Sequence, residues 1–162
     1  MPDVIDVRPA SPEDWETVRT LRLAALVDAP NAFAAAYDAE AALTQAQWCE
    51  RLTAGRTVTA WLGVEPVGLV VGFVDQSDSG TVELVAMWVA PASRCRGVGE
   101  VLLRAVETWA CEAGARRLHL WVTESNLAAR RLYERCGFLA TDEHQPLPSA
   151  PELAEIGMER SV

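Results

Sequence analysis

The amino-acid sequence predicts one α+β domain with a central mixed sheet, and three observations carry this prediction. The length of 162 residues suits a single domain, which at this size buries about 70% of the surface of the unfolded chain. Segments typical of strands and helices follow in the order strand, two helices, three strands, helix, strand, helix and two strands, a mixture found in α+β proteins. Short polar turns join the three central strands, which favours an antiparallel meander.

The N-terminal part of the chain is predicted to begin with a strand and a helix. Residues 4–8 (VIDVR) alternate apolar and polar side chains, as a half-buried strand does. Ser11 has the features of a helix N-cap, because Pro12 occupies the first helical position and two acids follow in the first turn. These signals predict a helix over residues 12–27, which ends in the segment 28–31.

A second helix and the meander complete the first half of the chain. Thr44 and Gln47 have the spacing of a capping box, which predicts a helix over residues 44–53. Turn-forming residues then separate three predicted strands, which cover residues 57–64, 67–75 and 81–89.

The second half is predicted to hold two helices and three strands. Apolar residues at helical spacing indicate a helix over residues 97–113, which Gly114 ends. A strand at 118–122 and a helix at 126–136, stopped by Gly137, come next. Two final strands, at 138–142 and 153–160, are expected to be joined by a proline-rich loop with Pro146, Pro148 and Pro151.

The charge of the chain restricts the partners that it can take. Asp and Glu number 23 against 14 basic residues, which gives a net charge of −9, and every basic residue is an arginine. An acidic surface repels phosphate backbones, so we expect no nucleic acid and favour a cationic partner. The acidic charge is equally typical of a surface that only keeps a protein soluble.

The composition also bears on location and on metals. The longest apolar runs fall far short of the roughly 20 residues that a membrane helix needs, and the N-terminal segment lacks the pattern of a secretory signal. Four cysteines show no C-x-x-C spacing, which indicates reduced thiols. We therefore expect a cytoplasmic protein without a membrane or a metal, and the sequence leaves both a monomer and a homodimer open.

The segment RCRGVG, residues 94–99, stands between an apolar strand and a helix. Its two glycines let the backbone approach a ligand closely, and the first amides of the next helix have no partner within the helix. Two arginines add charged donors suited to a diphosphate. The alternative is an ordinary strand-to-helix turn with solvated arginines. The segment is neither a Walker loop nor a dinucleotide fingerprint, because the G-K-[ST] and the third glycine are missing.

Two motifs in register resemble the GNAT superfamily of acetyl-CoA-dependent N-acetyltransferases. VELVAMWVAPASRCRGVGEVLL resembles its signature of a strand, [RQ]-x-x-G-x-[GA] and a helix, and NLAARRLYERCGF resembles its N-x-x-A-x-x-x-Y-x-x-x-G-F segment. The two motifs span residues 82–138, about a third of the chain. The resemblance implies a mostly antiparallel, twisted sheet of about seven strands with four helices. It further implies that the fourth and fifth strands splay apart to form a cleft for acetyl-CoA, which reacts without a metal.

The resemblance also implies which residues hold the cofactor. The amides of the loop cradle the pyrophosphate of coenzyme A, and the end of the fourth strand bonds to its pantetheine arm, which Asn126 also contacts. The cofactor-binding residues implied in this way are Met87, Trp88, Val89, Arg94, Cys95, Arg96, Gly97, Val98, Gly99 and Asn126.

Two residues are the candidates for moving protons. A protonated amine with a pKa of about 10 must lose a proton before it attacks a thioester, and the departing thiolate must gain one. By resemblance, Tyr133 is the general acid and Glu83, eleven residues before Arg94, is the base. The alternatives are a tyrosine that only packs on its helix face, and a carboxylate that attracts the substrate or pairs with an arginine. His119 is expected to serve packing.

The sequence thus predicts an enzyme that moves acetyl from acetyl-CoA to a primary amine by direct attack in a ternary complex. The first two helices, the fourth strand and the last loop are expected to form the acceptor site. Their acids favour a cationic small molecule; they are Asp28, Asp38, Glu40, Asp142 and Glu143. Two alternatives stay open: acetylation of protein N-termini or lysines, and a binding module that senses acyl-CoA without turnover.

Overall fold

Seven strands and five α-helices make up the computed structural model, which describes residues 3–162. The strands are β1 (Ile5–Pro9), β2 (Arg56–Leu62), β3 (Glu65–Val74), β4 (Thr81–Val89), β5 (Arg117–Thr123), β6 (Leu139–Leu147) and β7 (Ala150–Ser161). The helices are α1 (Trp15–Asp28), α2 (Tyr37–Ala41), α3 (Gln45–Thr53), α4 (Val98–Glu112) and α5 (Leu127–Arg135). Residues 1 and 2, which begin the segment in which we expect no secretory signal, lie outside the described residues.

One sheet contains all seven strands in the order β1-β2-β3-β4-β5-β7-β6. Every neighbouring pair is antiparallel except β4 and β5, which run parallel. The predicted α+β class and the antiparallel meander of β2, β3 and β4 are confirmed.

The splay of the fourth and fifth strands has a local cause. β4 pairs with β5 only from Thr81 to Leu84, although β4 continues to Val89. Just after the last pair, Ala86 has a φ of +58°, and the pairing of β4 with β3 shifts register there. A β-bulge of this kind bends a strand and changes which side chains face each side of the sheet. The predicted cleft between the two strands is therefore confirmed as a feature of the fold.

Two hydrophobic cores lie on opposite faces of the sheet. One packs α4 and α5 against the sheet and contains Val82 and Leu84 of β4. The other packs α1 and α3 against the opposite face and contains Trp88 of β4, whereas the neighbouring Met87 packs on the first core. Beyond the bulge, odd-numbered instead of even-numbered residues of β4 therefore pack on the first core. No helix in residues 3–162 combines the length and the apolar character that crossing a membrane requires.

Most element boundaries agree with the sequence predictions, and the capping box at the start of α3 is formed. The backbone N–H of Gln47 donates to Thr44 Oγ1 at 3.2 Å, and the N–H of Thr44 donates to Gln47 Oε1 at 2.8 Å. The predicted first helix begins instead as a 3-10 turn, Pro12–Asp14, that leads into α1.

The sequence predictions were wrong for α2 and for the last loop. α2 was not predicted, because its five residues start without a side-chain cap and its buried Glu40 is held by distant arginines. The proline-rich loop is mostly strand, since β6 includes Pro146 and β7 includes Pro151, and only residues 148 and 149 form the turn. β6 is an edge strand, where a proline without an N–H is tolerated.

Candidate active site

A cleft of about 810 Å³ opens where β4 and β5 diverge. Its walls are the end of α1, the end of β4, the loop before α4 with the start of that helix, and one side of α5 along its length. Most residues that the sequence assigns to the site line it: Met87, Trp88, Val89, Arg94, Cys95, Gly97, Val98, Gly99, Asn126 and Tyr133. Arg96 and Glu83 do not belong to its lining.

The loop of residues 94–99 turns through two left-handed residues to start α4. Cys95 has a φ of +60° and Gly97 a φ of +84°, and Gly97 is the N-cap of the helix. A Cβ built on Gly97 would meet no heavy atom within 4 Å, so the space beside it is open. The first intrahelical bond runs from Val101 N to Gly97 O, which leaves the preceding amides free. Free amides at the positive end of a helix of 15 residues suit an anion.

Gly99 serves a different purpose from Gly97. A Cβ at Gly99 would lie 2.8 Å from Leu132 Cδ2 and 3.3 Å from Met87 Cε. The missing side chain therefore lets α4 approach α5 and the end of β4. The sequence interpretation assigned the room at both glycines to a ligand, and at Gly99 neighbouring side chains occupy it.

Arg94 joins the end of α1 to the end of β4. Its Nη2 donates to Asp28 Oδ2 at 2.5 Å, and its Nε donates to the carbonyl oxygen of Val89 at 3.0 Å. Trp88 Nε1 donates to the same Asp28 oxygen at 3.0 Å. The hydrogen bond from Trp88, together with Arg94, lowers the pKa of Asp28. Arg96 instead pairs with Asp3 near the N-terminus.

Tyr133 lines the cleft, although most of its side chain is buried. The residue is 7% exposed, and its ring meets that of Phe138 edge-on at a centroid distance of 5.8 Å. Burial raises the pKa of the hydroxyl well above its ordinary value, so the hydroxyl keeps its proton at neutral pH. Asn126 Oδ1 accepts the N–H of Ala129 at 3.2 Å and so caps the helix that carries Tyr133.

Glu83 lies on the sheet face opposite α4, in a cluster with His119 and Glu143. His119 Nδ1 is 2.7 Å from Glu83 Oε1 without the alignment of a hydrogen bond, and His119 Nε2 is 3.1 Å from Glu143 Oε1. The contact with Glu83 is the main cause that raises the pKa of His119, against the effect of burial. Glu83 lies three positions before Ala86 of the bulge, about 10 Å along a strand. A proton could pass from the cleft to Glu83 only through water.

The acids assigned to the acceptor site divide into two groups. Asp28 is engaged by Trp88 and Arg94, as described above, and Glu40 is 3% exposed between two arginines. Asp38, Asp142 and Glu143 remain exposed, although Glu143 Oε1 also contacts His119 Nε2 at 3.1 Å. Fewer acids are therefore available to an acceptor than the sequence suggests. Sequence reasoning missed both the pairing of Glu40 and that of His119, since their partners are distant along the chain.

Known proteins resemble this chain in sequence. A family model described as "Acetyltransferase (GNAT) family" matches residues 15–138. The aminoglycoside N(6')-acetyltransferase type 1 of Stenotrophomonas maltophilia is 29% identical over 137 residues, 84% of this chain and 87% of that enzyme. The uncharacterized N-acetyltransferase YobR of Bacillus subtilis is 41% identical over 56 residues, 35% of this chain. That match spans 23% of the length of YobR.

Solved structures share the fold over nearly the whole chain. A GNAT-family acetyltransferase from Streptococcus pneumoniae superimposes with a TM-score of 0.79 at 22% identity, covering 98% of this chain and all (100%) of the other. The yncA protein of Salmonella typhimurium, solved with its cofactor acetyl-CoA, gives a TM-score of 0.76 at 19% identity, covering 98% and 94%. At such identities the likeness establishes the fold.

Proposed function

The chain belongs to the GNAT family of acetyltransferases, and from this premise we propose that it transfers the acetyl group of acetyl-CoA to the primary amine of a small cationic molecule. One observation carries the proposal. The cleft between β4 and β5 joins the free N-terminus of α4 to the buried Tyr133. The helix N-terminus suited to an anion and the tyrosine suited to donating a proton therefore line the same cleft.

The cleft fits coenzyme A in two respects. The free amides after Gly97 and the open space beside it suit the pyrophosphate. Residues 87–89 lie beyond the part of β4 that pairs with β5, so backbone groups on that side are available to the amides of the pantetheine arm, apart from the carbonyl oxygen of Val89, which accepts from Arg94 Nε. Acetyl-CoA would supply an activated thioester there, next to Tyr133.

The reaction needs two proton transfers: the acceptor amine loses a proton, and the departing sulfur gains one. The ammonium group of the acceptor loses a proton, through water, to Glu83, and its nitrogen then forms a bond to the acetyl carbon. As the bond from that carbon to sulfur breaks, Tyr133 gives its proton to the sulfur, and the second proton that the nitrogen must lose to become an amide passes to the tyrosinate and restores the hydroxyl. The hydroxyl is protonated at neutral pH already at its ordinary pKa of about 10; because burial raises this pKa, the proton is transferred only once negative charge has built up on the sulfur.

The proposed acceptor is a small amine that binds as a cation. The exposed acids Asp38, Asp142 and Glu143 and a net charge of −9 attract positive charge. The Stenotrophomonas relative, which covers most of the chain, is named as an aminoglycoside acetyltransferase. These observations support a small cationic amine over a protein substrate.

Turnover of acetyl-CoA with a panel of polyamines, aminoglycosides and short peptides tests the proposal, with thiol release as the readout. We expect Tyr133→Phe to lower kcat by about 100-fold or more, with unchanged affinity for coenzyme A in calorimetry. Tyr37→Phe, which alters the other tyrosine of the chain at an exposed position, is the matched control and should retain full activity.

Two outcomes would contradict these assignments. Full activity of Tyr133→Phe would show that the tyrosine serves packing alone. A wild-type protein that binds acetyl-CoA but acetylates none of the amines would favour the non-catalytic binding module.

A further inference from the structure

A second cavity, of about 230 Å³, lies between α1, α3 and the sheet, on the face opposite α4. Its wall is mostly apolar, and the apolar side chains that line it are Val18, Leu52, Leu69, Val71 and Val85. Its volume equals that of roughly eight water molecules at about 30 Å³ each. An apolar wall offers water few hydrogen bonds, so the space suits the apolar part of a ligand better than it suits water.

The open side of this cavity lies next to Glu83. Val71 and Val85 stand directly opposite each other on β3 and β4, and Val85 is 42% exposed, so a ligand can reach the cavity from solvent there. Glu83 is two residues before Val85 on the same strand. Its side chain therefore lies on the same face of the sheet, about 7 Å along the strand.

The same cavity also borders the cleft between β4 and β5. Ala86 lines the cavity, whereas the next residue, Met87, lines the cleft. The bulge at Ala86, where φ is +58°, is thus the boundary between the two spaces. A molecule with an apolar group in the cavity can therefore present its other end to Glu83 and, past the bulge, to the cleft.

The charge at the helix side of the cavity determines which end of an amine can enter it. Arg22 and Arg51 belong to the lining. They share one carboxylate, since Glu40 Oε1 lies 3.1 Å from Arg22 Nη2 and Glu40 Oε2 lies 2.5 Å from Arg51 Nη1. Two arginines against one glutamate leave an excess of one positive charge, which repels an ammonium group.

The charge beside the open side of the cavity has the opposite sign. Glu83 and Glu143 both contact His119, at 2.7 and 3.1 Å. Two carboxylates against one histidine leave this cluster negative even when the histidine is protonated, so it attracts an ammonium group. An amine would therefore place its apolar group toward the helices and its nitrogen toward Glu83.

We propose that this cavity binds the apolar side group of the amine acceptor. The preferred acceptor is then a primary amine with an aliphatic or aromatic substituent of about five to eight carbon atoms, which fills the volume. This inference rests on the function proposed above and narrows its substrate. A second ammonium group, as in a polyamine, would have to enter apolar space beside two arginines, which is costly.

Binding is measured first, without acetyl-CoA, by calorimetry at several temperatures. Ethylamine and 3-methylbutylamine carry the same ammonium group and differ by three apolar carbon atoms. We expect 3-methylbutylamine to bind about 10- to 100-fold more tightly. Its heat-capacity change on binding should also be more negative, which marks the burial of apolar surface. Equal affinities of the two amines would overturn the proposal.

Two variants of β3 show whether the cavity causes this difference. Val71→Phe places a larger side chain at the open side of the cavity and should remove most of the difference in affinity. Val74→Phe is the matched control, because Val74 lies on the same strand, is 39% exposed and is not part of the cavity lining. It should retain the difference.

Val85→Phe, across the strand pair from Val71, takes the place of Val71→Phe if that variant does not fold. If the difference between the two amines persists in a folded Val71→Phe or Val85→Phe protein, their apolar groups bind elsewhere and the proposal is overturned.

Transfer is measured second, as kcat/KM for ethylamine, 3-methylbutylamine and butane-1,4-diamine. We expect kcat/KM for 3-methylbutylamine to exceed that for ethylamine by about tenfold or more, and the diamine to show no such gain. Val71→Phe should bring the values for the first two amines close together. A diamine that reacts as well as 3-methylbutylamine would show that the cavity accepts a second charge, which contradicts the inference.

The two measurements separate this inference from the proposed function. If 3-methylbutylamine binds with the expected preference and no amine is acetylated, the apolar site stands while the proposed function fails for these amines. If all the amines are acetylated equally well and bind equally well, the apolar site is overturned while the proposed function stands.

Discussion

The two sides of β4 are built in different ways. On the side of the cleft, residues 87–99 form a nearly continuous stretch of sequence that combines backbone amides, a helix N-terminus and a strand edge not paired with β5. On the opposite face, side chains are held by pairs that are distant in the chain, such as Arg22 with Glu40, 18 residues apart. A site made of backbone can be recognised in a short motif, whereas a site made of paired side chains depends on the whole fold.

Among the variants that test this contrast, we expect the largest loss of activity from a substitution on the face opposite α4. We expect Glu83→Gln to lower kcat/KM by about 10²- to 10⁴-fold, because a general base contributes about that much to the rate. The ascending limb of the pH-rate profile should change with it. Steady-state kinetics across pH at saturating acetyl-CoA measures both effects.

The control for Glu83 is its counterpart on the other side of His119. Glu143 lies 3.1 Å from His119 Nε2, and its side chain is 56% exposed. Glu143→Gln should cost no more than a few-fold. Equal losses in the two variants would mean that Glu83 acts through the charge of the cluster rather than as the base.

A smaller effect is expected on the side of the cleft that is proposed to bind coenzyme A, where we expect backbone amides to supply most of the contacts. Arg94 lines the cleft, whereas Arg96 does not. A hydrogen bond from a charged group contributes about 1.5–3 kcal/mol, so Arg94→Ala should raise the Kd for coenzyme A by about tenfold or somewhat more. Arg96→Ala should raise it by less than about threefold, as expected of a partly screened charge.

Calorimetry with coenzyme A at two salt concentrations measures these affinities. If Arg96→Ala lowers the affinity for coenzyme A as much as Arg94→Ala does, the ion pair between Arg96 and Asp3 breaks when the cofactor binds. Unchanged affinity in both variants would assign the binding to the amides alone.

The sequence predicted what local rules determine. Gly97 needs a left-handed backbone to begin α4, and Thr44 with Gln47 caps α3; neither depends on distant contacts. The strands of the meander follow from alternation and short turns. These features were enough to place the cleft beside the end of β4 and the start of α4 before its geometry was known.

Other features could not be predicted, because they depend on contacts between distant segments. Gly99 gives room to Leu132 of α5, and no property of the loop itself indicates this. Glu40 appeared as one acid among several, and only the packing of α2 against α1 and α3 buries it between arginines. For the same reason, the proline-rich segment gave no sign that edge pairing with β7 would make most of it a strand.

The smallest expected effect concerns the stability that His119 contributes. Its pKa is raised from the ordinary value, mainly by contact with Glu83 and also by Glu143, while burial opposes the shift. A raised pKa means that the folded state holds the proton more tightly than the unfolded state does. The contribution to stability is therefore complete below about pH 6.5, the ordinary histidine value, and it is lost as the pH rises through the higher pKa of the folded state.

Urea unfolding of the wild type, His119→Asn and His144→Asn between pH 5.5 and 8.5 at constant salt measures this contribution. The free energy of unfolding of the wild type should contain a part that falls with rising pH above 6.5, and His119→Asn should lack that part. His144→Asn, at the exposed second histidine, should retain it. The same pH slope in the wild type and in His119→Asn would show that the histidine is not held in its charged form by the two carboxylates. The cluster around Glu83 would then be a hydrogen-bonded structural element, and the face opposite α4 would owe its order to packing rather than to charge.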